Sequence, residues 1–243
     1  MTVEDESLRR ARAAADEANR ELESFRYSIS HDLRAPLRQI EGFSIALIED
    51  CAAQLDADGK RYVQHIRESA VRMTQLIDGL LTLSRVSSSD LSRTRVNLSS
   101  IARKTVERLR VAEPSRNVEV SISDGIFAEG DVRLLTLALE SLLGNAWKFT
   151  SERPAARIEF GTESDKQPTV YFVRDNGAGF DPTYTDKLFG VFRRLHSTEE
   201  FAGIGIGLAT VHRIVARHGG RIWAEGALDE GATLYFTLEE SHT

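Results

Sequence analysis

The first part of the chain repeats apolar positions with the spacing of a helix. Apolar or small residues alternate three and four apart over residues 8–47, and the clearest members of this row are Ile29, Leu33, Pro36, Ile40, Phe43 and Leu47. The row predicts one long helix over residues 5–54. A turn at Asp56–Gly59 and a second helix over Lys60–Val86 follow, and the apolar row of this helix is Ile66, Ala70, Met73, Ile77 and Leu80. Because two antiparallel helices cannot bury such rows alone, we expect a homodimer through residues 5–90, built as a four-helix bundle.

The rest of the chain mixes helical and strand patterns. A polar break at Ser87–Asp90 indicates a domain boundary near residue 90. Helices are predicted over 97–112, after the capping residue Asp131, and over 207–218. Alternating positions predict strands at Val118–Ile122, Arg157–Gly161, Thr169–Val173, Arg221–Glu225 and Thr233–Leu238. The expected fold class is α+β, with an antiparallel helical hairpin followed by a two-layer α/β sandwich.

Composition and charge narrow the class of protein. Hydrophobic residues make up 41% of the chain and charged residues 28%, which is ordinary for a globular protein. The net charge of −6, without a basic patch, does not indicate nucleic-acid binding. The single cysteine, Cys51, excludes an intrachain disulfide and suits a reducing compartment. With no apolar run near ~18 residues and no signal-peptide pattern, we expect no membrane span and a cytoplasmic location.

A histidine next to an aspartate interrupts the helical pattern. His31 lies two residues from both Ile29 and Leu33, about 200° round the helix from each, so its imidazole is predicted to face away from the apolar row. Asp32 follows, and Pro36 removes the N–H that would bond the carbonyl of Asp32 and is expected to bend the helix. By itself, an exposed histidine on a coiled coil is only a solvated residue.

Asn145 and Lys148 form a second cluster with chemical potential. They are three apart on one helical face, where an amide oxygen suits Mg²⁺ and a lysine suits phosphate. Alone, they also fit the polar end of an amphipathic helix.

Two glycine-rich clusters follow. Asp175 directly follows a predicted strand and precedes Gly177 and Gly179; a buried carboxylate there accepts a hydrogen bond from an amine such as that of adenine, although Asp-Asn-Gly is also a common turn. Glycines then alternate over 203–207 before a helix, which exposes N–H groups to phosphate. This segment is no dinucleotide fingerprint, because no strand precedes it and the glycine spacing differs.

The order of these clusters is more specific than any one of them. His31-Asp32, Asn145, the Asp-x-Gly-x-Gly turn, a Phe-rich segment at 187–196 and the glycines of 203–207 together resemble the transmitter module of two-component sensor histidine kinases. The resemblance covers residues 20–240 and points to the phytochrome-like, PAS-linked branch. It implies a coiled-coil signalling arm (1–24), a dimerisation and histidine-phosphotransfer domain (25–90) and a catalytic domain with the Bergerat ATP-binding fold (91–243).

The resemblance also implies a role for each matching residue. His31 matches the phosphoacceptor, Asp32 the acidic residue that polarises the imidazole, and Asn145 the Mg²⁺ ligand. Arg194 matches the arginine that follows the Phe-rich motif. The remaining positions matched to ATP binding are Lys148 for phosphate, Phe149, Asp175 for adenine, Gly177 and Gly179 for its turn, Gly203, Gly205 and Gly207 for a mobile lid, Leu208 and Thr233.

The implied activity is ATP-dependent autophosphorylation of His31, followed by transfer to an aspartate of a response regulator receiver domain in trans. A sensory domain upstream, or a sensory partner, is expected. Ala35 stands where bifunctional relatives carry Thr or Asn, so phosphatase activity is expected to be weak. Ser141 replaces a frequent Asn, and Glu140 is about 100° from the position that a hydrolytic relative requires. The alternatives are a degenerate nucleotide-binding dimeric scaffold and an ATP-hydrolysing relative.

Overall fold

In the computed structural model, the described residues are 17, 28, 32–88, 90–163, 168–193, 195, 201 and 203–239. The chain divides into two compact units, residues 1–84 and 85–243, and each is considered by itself. Most of the predicted coiled-coil arm lies outside the described residues. Within the described ranges no helix combines the length and the apolar character that crossing a membrane requires.

The first unit contains a helical hairpin, as predicted. Helix α1 is described from residue 32 to residue 50, and helix α2 spans Ala57–Ser88. At the end of the turn between them, the Asp56 carboxylate accepts a hydrogen bond from the N–H of Gly59 at 2.7 Å. This hydrogen bond caps the start of α2. Arg34 of α1 donates to Asp78 of α2 through Nε at 3.1 Å and through a terminal nitrogen at 2.6 Å. The two helices therefore run antiparallel.

Within the single hairpin, Ala70 of the predicted α2 row is buried together with positions outside the predicted rows. The buried residues of the first unit are Leu37, Ser44, Val63, Ala70, Leu81 and Ser84. The predicted rows are instead largely exposed, with Phe43 at 72%, Ile66 at 51% and Met73 at 45%. The large apolar side chains therefore remain on an outer surface, which we call the exposed apolar row and which comprises Leu33, Ile40, Phe43, Leu47, Ile66, Met73 and Leu80.

The second unit is a two-layer sandwich built on a five-stranded sheet. The strands are β1 (Thr94–Asn97), β2 (Val118–Ile122), β3 (Phe127–Gly130), β4 (Ala156–Glu163), β5 (Val170–Asp175), β6 (Ile222–Ala227) and β7 (Gly231–Thr237). The sheet has the order β2-β4-β5-β7-β6, in which only β2 and β4 are parallel. Strands β1 and β3 form a separate antiparallel pair. The sequence predicted the five strands of the sheet but missed this pair, because each strand has only four residues and little alternation.

Three helices cover one face of the sheet. They are α3 (Leu98–Ala112), α4 (Val132–Phe149) and α5 (Gly207–Arg217), and a short 3-10 helix occupies Pro182–Lys187. The core between helices and sheet includes Leu142, Trp147, Phe160, Val173 and Val211, all at most 2% exposed. This arrangement confirms the expected sandwich.

Buried polar contacts hold the start of α4. The carboxylate of Asp131 accepts from the N–H groups of Arg133 at 2.9 Å and Leu134 at 3.3 Å, as the sequence predicted for a capping residue. Burial raises the pKa of Asp131, but hydrogen bonds from Arg133, Ser92 and Leu134 outweigh it and lower this pKa to about 2. The N–H of Asp131 donates to Nε2 of the buried His218 at 3.0 Å. The helix that carries Asn145 and Lys148 thus begins at a well-anchored residue.

The end of helix α2 belongs to the second unit. Val86 is 2% exposed in the core of the sandwich, its carbonyl accepts from Arg217, and Arg213 donates to Ser87 at 3.0 Å. The predicted domain boundary near residue 90 stays a prediction.

Candidate nucleotide-binding site

A cavity of about 300 Å³ lies within the second unit, between the C-terminal part of α4, the start of α5 and the sheet. Of the positions predicted to bind nucleotide, the cavity is lined by Asn145, Lys148, Phe149, Asp175, Gly179, Gly203, Gly205, Gly207 and Leu208. These residues are spread over more than sixty positions of sequence, and the fold brings them into one space.

Asp175 supplies a buried carboxylate on the wall of this cavity. It is the last residue of β5 and only 6% exposed, and its Oδ1 accepts from the N–H of Gly177 at 2.8 Å. Burial raises the pKa of Asp175 from its ordinary 3.8 to about 6, while hydrogen bonds from the backbone of Gly177 and Ala232 act in the opposite direction. At neutral pH the group is mainly ionised, so it can accept a hydrogen bond from an exocyclic amine.

The turn after Asp175 is packed too closely for side chains. Gly179 has φ +63, and a Cβ on it would lie 1.8 Å from the carbonyl oxygen of Ala227. The N–H of Ala178 donates to the carbonyl of Phe149 at 3.0 Å, and the carbonyl of Ala178 accepts from the N–H of Asp229 at 2.8 Å. The turn is therefore held between the end of α4 and the turn that joins β6 to β7. This close approach is the physical reason for a glycine here.

Polar groups from α4 meet the glycine-rich segment at another part of the cavity. The Nζ of Lys148 lies 4.2 Å from the centroid of the Phe149 ring, and it would be 3.3 Å from a Cβ placed on Gly203. A Cβ on Gly207 would lie 2.7 Å from Oγ of Ser141. Helix α5 begins directly after this segment, so its first N–H groups lie close to the polar end of α4. The amine of Lys148, the amide of Asn145 and the N-terminus of α5 together suit a phosphate chain.

Much of the cavity wall is apolar, and motif reasoning did not identify it. The additional lining residues are Phe180, Leu188, Arg193, Leu195, Phe201, Ile204, Ile206, Ala224, Ala232 and Leu234. The rings of Phe149 and Phe201 meet edge to face with centroids 5.1 Å apart. Strand alternation was the available signal for Ala232 and Leu234, which share one face of β7. Apolar lining residues together with the Asp175 carboxylate suit a flat heterocyclic base.

The structure does not bring every predicted residue to the cavity. Thr233 lies on the opposite face of β7 from Ala232 and Leu234, and its Oγ1 accepts from Nε of Arg174 at 3.2 Å. Thr233, which was predicted to bind nucleotide, is therefore not among the residues that line the cavity. Gly177 is not among the residues that line the cavity, but its N–H donates a hydrogen bond to the Asp175 carboxylate.

The remaining predicted residues belong elsewhere. His31 and Arg194 lie outside the described residues, although Arg193 lines the cavity. Asp32 is an exposed residue of α1 in the first unit.

The metal prediction rests on Asn145. Among the residues that the structure describes, no three His, Cys, Asp or Glu side chains gather into a metal-binding group. Mg²⁺ commonly keeps several waters and takes only one or two protein oxygens together with substrate phosphates. The one amide oxygen of Asn145, in the part of the cavity that also holds Lys148, therefore fits Mg²⁺ and does not fit a metal that needs an all-protein cage.

Comparison with known proteins identifies a domain in each of the two parts of the chain. Residues 21–89 match the His Kinase A (phospho-acceptor) domain, and residues 130–242 match the family described as histidine kinase-, DNA gyrase B- and HSP90-like ATPase. Those two domains, in this order, make up the transmitter module of sensor histidine kinases. The chain belongs to this family, as its sequence suggested.

Among relatives, cyanobacterial phytochrome A of Nostoc sp. is 36% identical over 92% of this chain. The methanogenesis regulatory histidine kinase FilI of Methanothrix harundinacea is 39% identical over 90% of the chain. The chain spans only 29% and 25% of the lengths of these two proteins. The solved structure of full-length ShkA in complex with AMPPNP superposes with a TM-score of 0.63 and 25% identity, over 88% of this chain and 45% of ShkA.

Proposed function

We propose that this chain is the ATP-dependent protein-histidine kinase portion of a two-component system, which phosphorylates its own His31. The observation that carries the proposal is the single cavity that joins the Asp175 carboxylate to Asn145, Lys148 and the glycine-rich segment. In this assignment Asp175 binds the adenine amine, and the polar groups bind the phosphates.

The proposed transfer needs positioning and charge neutralisation more than covalent chemistry from the cavity. An unprotonated imidazole nitrogen of His31 forms a bond to the γ-phosphorus, the bond between that phosphorus and the β–γ bridging oxygen breaks, and ADP leaves. Asp32 polarises the other ring nitrogen and accepts its proton. Lys148 and the N–H groups at the start of α5 stabilise charge on the phosphates. Mg²⁺ bound through Asn145 would supply further neutralisation of that charge.

The exposed apolar row supports a homodimer. Residues such as Phe43 and Ile66 are exposed in the single chain, and a second hairpin would cover them in a four-helix bundle. The next step of the proposal is transfer from His31 to an aspartate of a response regulator in trans, under control of a sensory domain or sensory partner. Weak phosphatase activity, inferred from Ala35, and a cytoplasmic location stay predictions.

Hydrolysis of ATP by water is the alternative that the structure disfavours. A hydrolytic relative needs a carboxylate that activates water beside the phosphates. The carboxylate of Glu140 instead accepts a hydrogen bond from Arg108 of α3, and Glu140 is not among the residues that line the cavity.

Labelling with γ-phosphate-tagged ATP tests the proposal. We expect His31→Gln to abolish an acid-labile, base-stable label while nucleotide binding remains unchanged. His65→Gln is the matched control, because His65 is an exposed histidine of α2, and it should label like wild type. Asp32→Asn should slow labelling without changing nucleotide affinity. A label that persists in His31→Gln contradicts the assignment, and nucleotide binding without any label supports the scaffold alternative.

A further inference from the structure

Arg153 makes contacts that its sequence context does not predict. It lies in the loop between α4 and β4, and its side chain is 31% exposed. One terminal nitrogen of its guanidinium donates to the carbonyl oxygens of Gly177 at 3.0 Å and of Asp229 at 2.6 Å. Arg153 therefore joins the turn after β5 to the turn between β6 and β7.

The contact with Gly177 fixes one particular peptide group. The carbonyl of Gly177 and the N–H of Ala178 belong to the same planar peptide unit. Arg153 donates to that carbonyl, and the carbonyl of Phe149 accepts from that N–H at 3.0 Å. Both polar ends of the peptide are held by groups that come from the end of α4 and the loop beyond it.

This peptide adjoins the buried carboxylate. The N–H of Gly177 donates to Oδ1 of Asp175 at 2.8 Å, so the position of Gly177 determines how one oxygen of Asp175 is held. Arg153 itself does not line the cavity. Arg153 can therefore act on a nucleotide only through the residues that it holds, and the shortest chain of contacts to a charged group of the cavity runs through Gly177 to Asp175.

We infer that Arg153 is a positioning residue of the nucleotide site: its guanidinium holds the Gly177–Ala178 peptide and thereby orients the Asp175 carboxylate toward the base. The inference rests on the proposed nucleotide binding. The contacts that matter are those to backbone carbonyls, because a hydrogen bond from a charged donor is worth more than an exposed ion pair. The ion pair of Arg153 with the Asp229 carboxylate, at 3.3 Å, involves a side chain that is 89% exposed.

The test compares Arg153→Ala with two matched variants in the full chain. Arg157→Ala removes a neighbouring arginine whose side chain is 71% exposed and pairs with Glu119. Asp229→Asn removes the exposed carboxylate but keeps the backbone carbonyl, and asparagine tolerates the left-handed φ of +63 at this position. Dissociation constants for ATP and ADP are measured by calorimetry, together with the labelling rate at saturating ATP and the melting temperature without nucleotide.

We expect Arg153→Ala to raise both dissociation constants about tenfold, equivalent to about 1.4 kcal/mol. The factor should be equal for ATP and ADP, because the affected contact is to the base they share. The labelling rate at saturating ATP should stay within about twofold of wild type, since orientation of the base is restored once nucleotide is bound. Arg153→Lys should recover part of the affinity, and both control variants should bind like wild type.

Each other outcome contradicts the inference. Unchanged affinity in Arg153→Ala shows that Gly177 keeps its position without the guanidinium. A larger loss for ATP than for ADP shows that Arg153 acts on the phosphates. A lower melting temperature and a smaller active fraction with unchanged affinity show a purely structural role. If Arg153→Ala does not fold, Arg153→Lys is compared with wild type. Dissociation constants raised equally for ATP and ADP then support the inference, and unchanged constants contradict it. Absence of nucleotide binding in wild type overturns the proposed function, whereas binding by wild type with unchanged variants overturns only the inference.

Discussion

Asp175→Asn should change the stability of the second unit and its affinity for nucleotide in opposite directions, if Asp175 binds the base as proposed. The carboxylate is 6% exposed, and burial raises its pKa from 3.8 to about 6. The folded state therefore binds this proton more tightly than the unfolded chain. Between pH 4 and pH 6 the unfolded chain loses the proton first, so this group makes the folded state less stable as pH rises through that window.

The size of the effect follows from the pKa difference. A shift of about 2 pKa units at about 1.4 kcal/mol per unit gives a cost of roughly 3 kcal/mol for the ionised group at neutral pH. Asparagine has nearly the same shape and still accepts from the N–H of Gly177, but it carries no charge. We therefore expect Asp175→Asn to raise the free energy of unfolding by up to about 3 kcal/mol above pH 7, and to have little effect near pH 4.

Nucleotide binding should respond in the opposite direction. The variant loses a charged acceptor for the exocyclic amine, a contact worth about 1.5–3 kcal/mol, so the dissociation constant for ATP should rise roughly 10- to 150-fold.

Urea denaturation at several pH values and calorimetric titration with ATP measure the two effects. Asp131→Asn is the control of opposite sign, because hydrogen bonds lower the pKa of Asp131 to about 2 and its ionised form stabilises the fold. A destabilised Asp175→Asn variant at neutral pH, or unchanged affinity for ATP, would refute the reasoning.

Two further predictions concern the hairpin and the turn after β5. Met73→Glu places a charge in the exposed apolar row and should weaken dimerisation by at least about a hundredfold in sedimentation, since two copies each lose apolar burial worth about 1.5–3 kcal/mol and about 1.4 kcal/mol is a factor of ten. Gln75→Glu, on the opposite side of α2, should leave dimerisation intact. Gly179→Ala should lower the free energy of unfolding by about 1–3 kcal/mol, since its Cβ would meet the carbonyl oxygen of Ala227 at 1.8 Å. Gly144→Ala is the control and should be neutral or stabilising, because Gly144 lies inside a helix and a Cβ there would have no neighbour within 4 Å. A monomeric Gln75→Glu, or equal melting temperatures of the two alanine variants, would contradict these expectations.

Local chemistry allowed much of this protein to be predicted. The cap at Asp131, the turn at Asp56–Gly59 and the strands of the sheet depend on neighbouring residues, and each is where the pattern indicated. The glycines around Gly179 and Gly207 were recognised because a tight turn and a helix N-terminus leave a mark in the sequence.

Contacts between segments that are distant in sequence could not be predicted from local sequence patterns. Motif order suggested Thr233 as a nucleotide contact, but pairing of β7 with β5 turns its side chain toward Arg174. The apolar wall at Phe180 and Phe201 and the hydrogen bonds of Arg153 likewise join segments far apart in the chain.

The sequence by itself determined the family, the helical and strand elements and the chemical groups of the candidate site, because these depend on short-range periodicity and on motif order. Only the tertiary structure decided which positions are buried inside the single hairpin, such as Leu37 and Ser44, and which large apolar side chains, such as Phe43, stay exposed. It also decided that the Asp175 carboxylate is buried and that Arg153 holds the peptide beside it. Burial and long-range hydrogen bonds arise only when segments distant in sequence pack together.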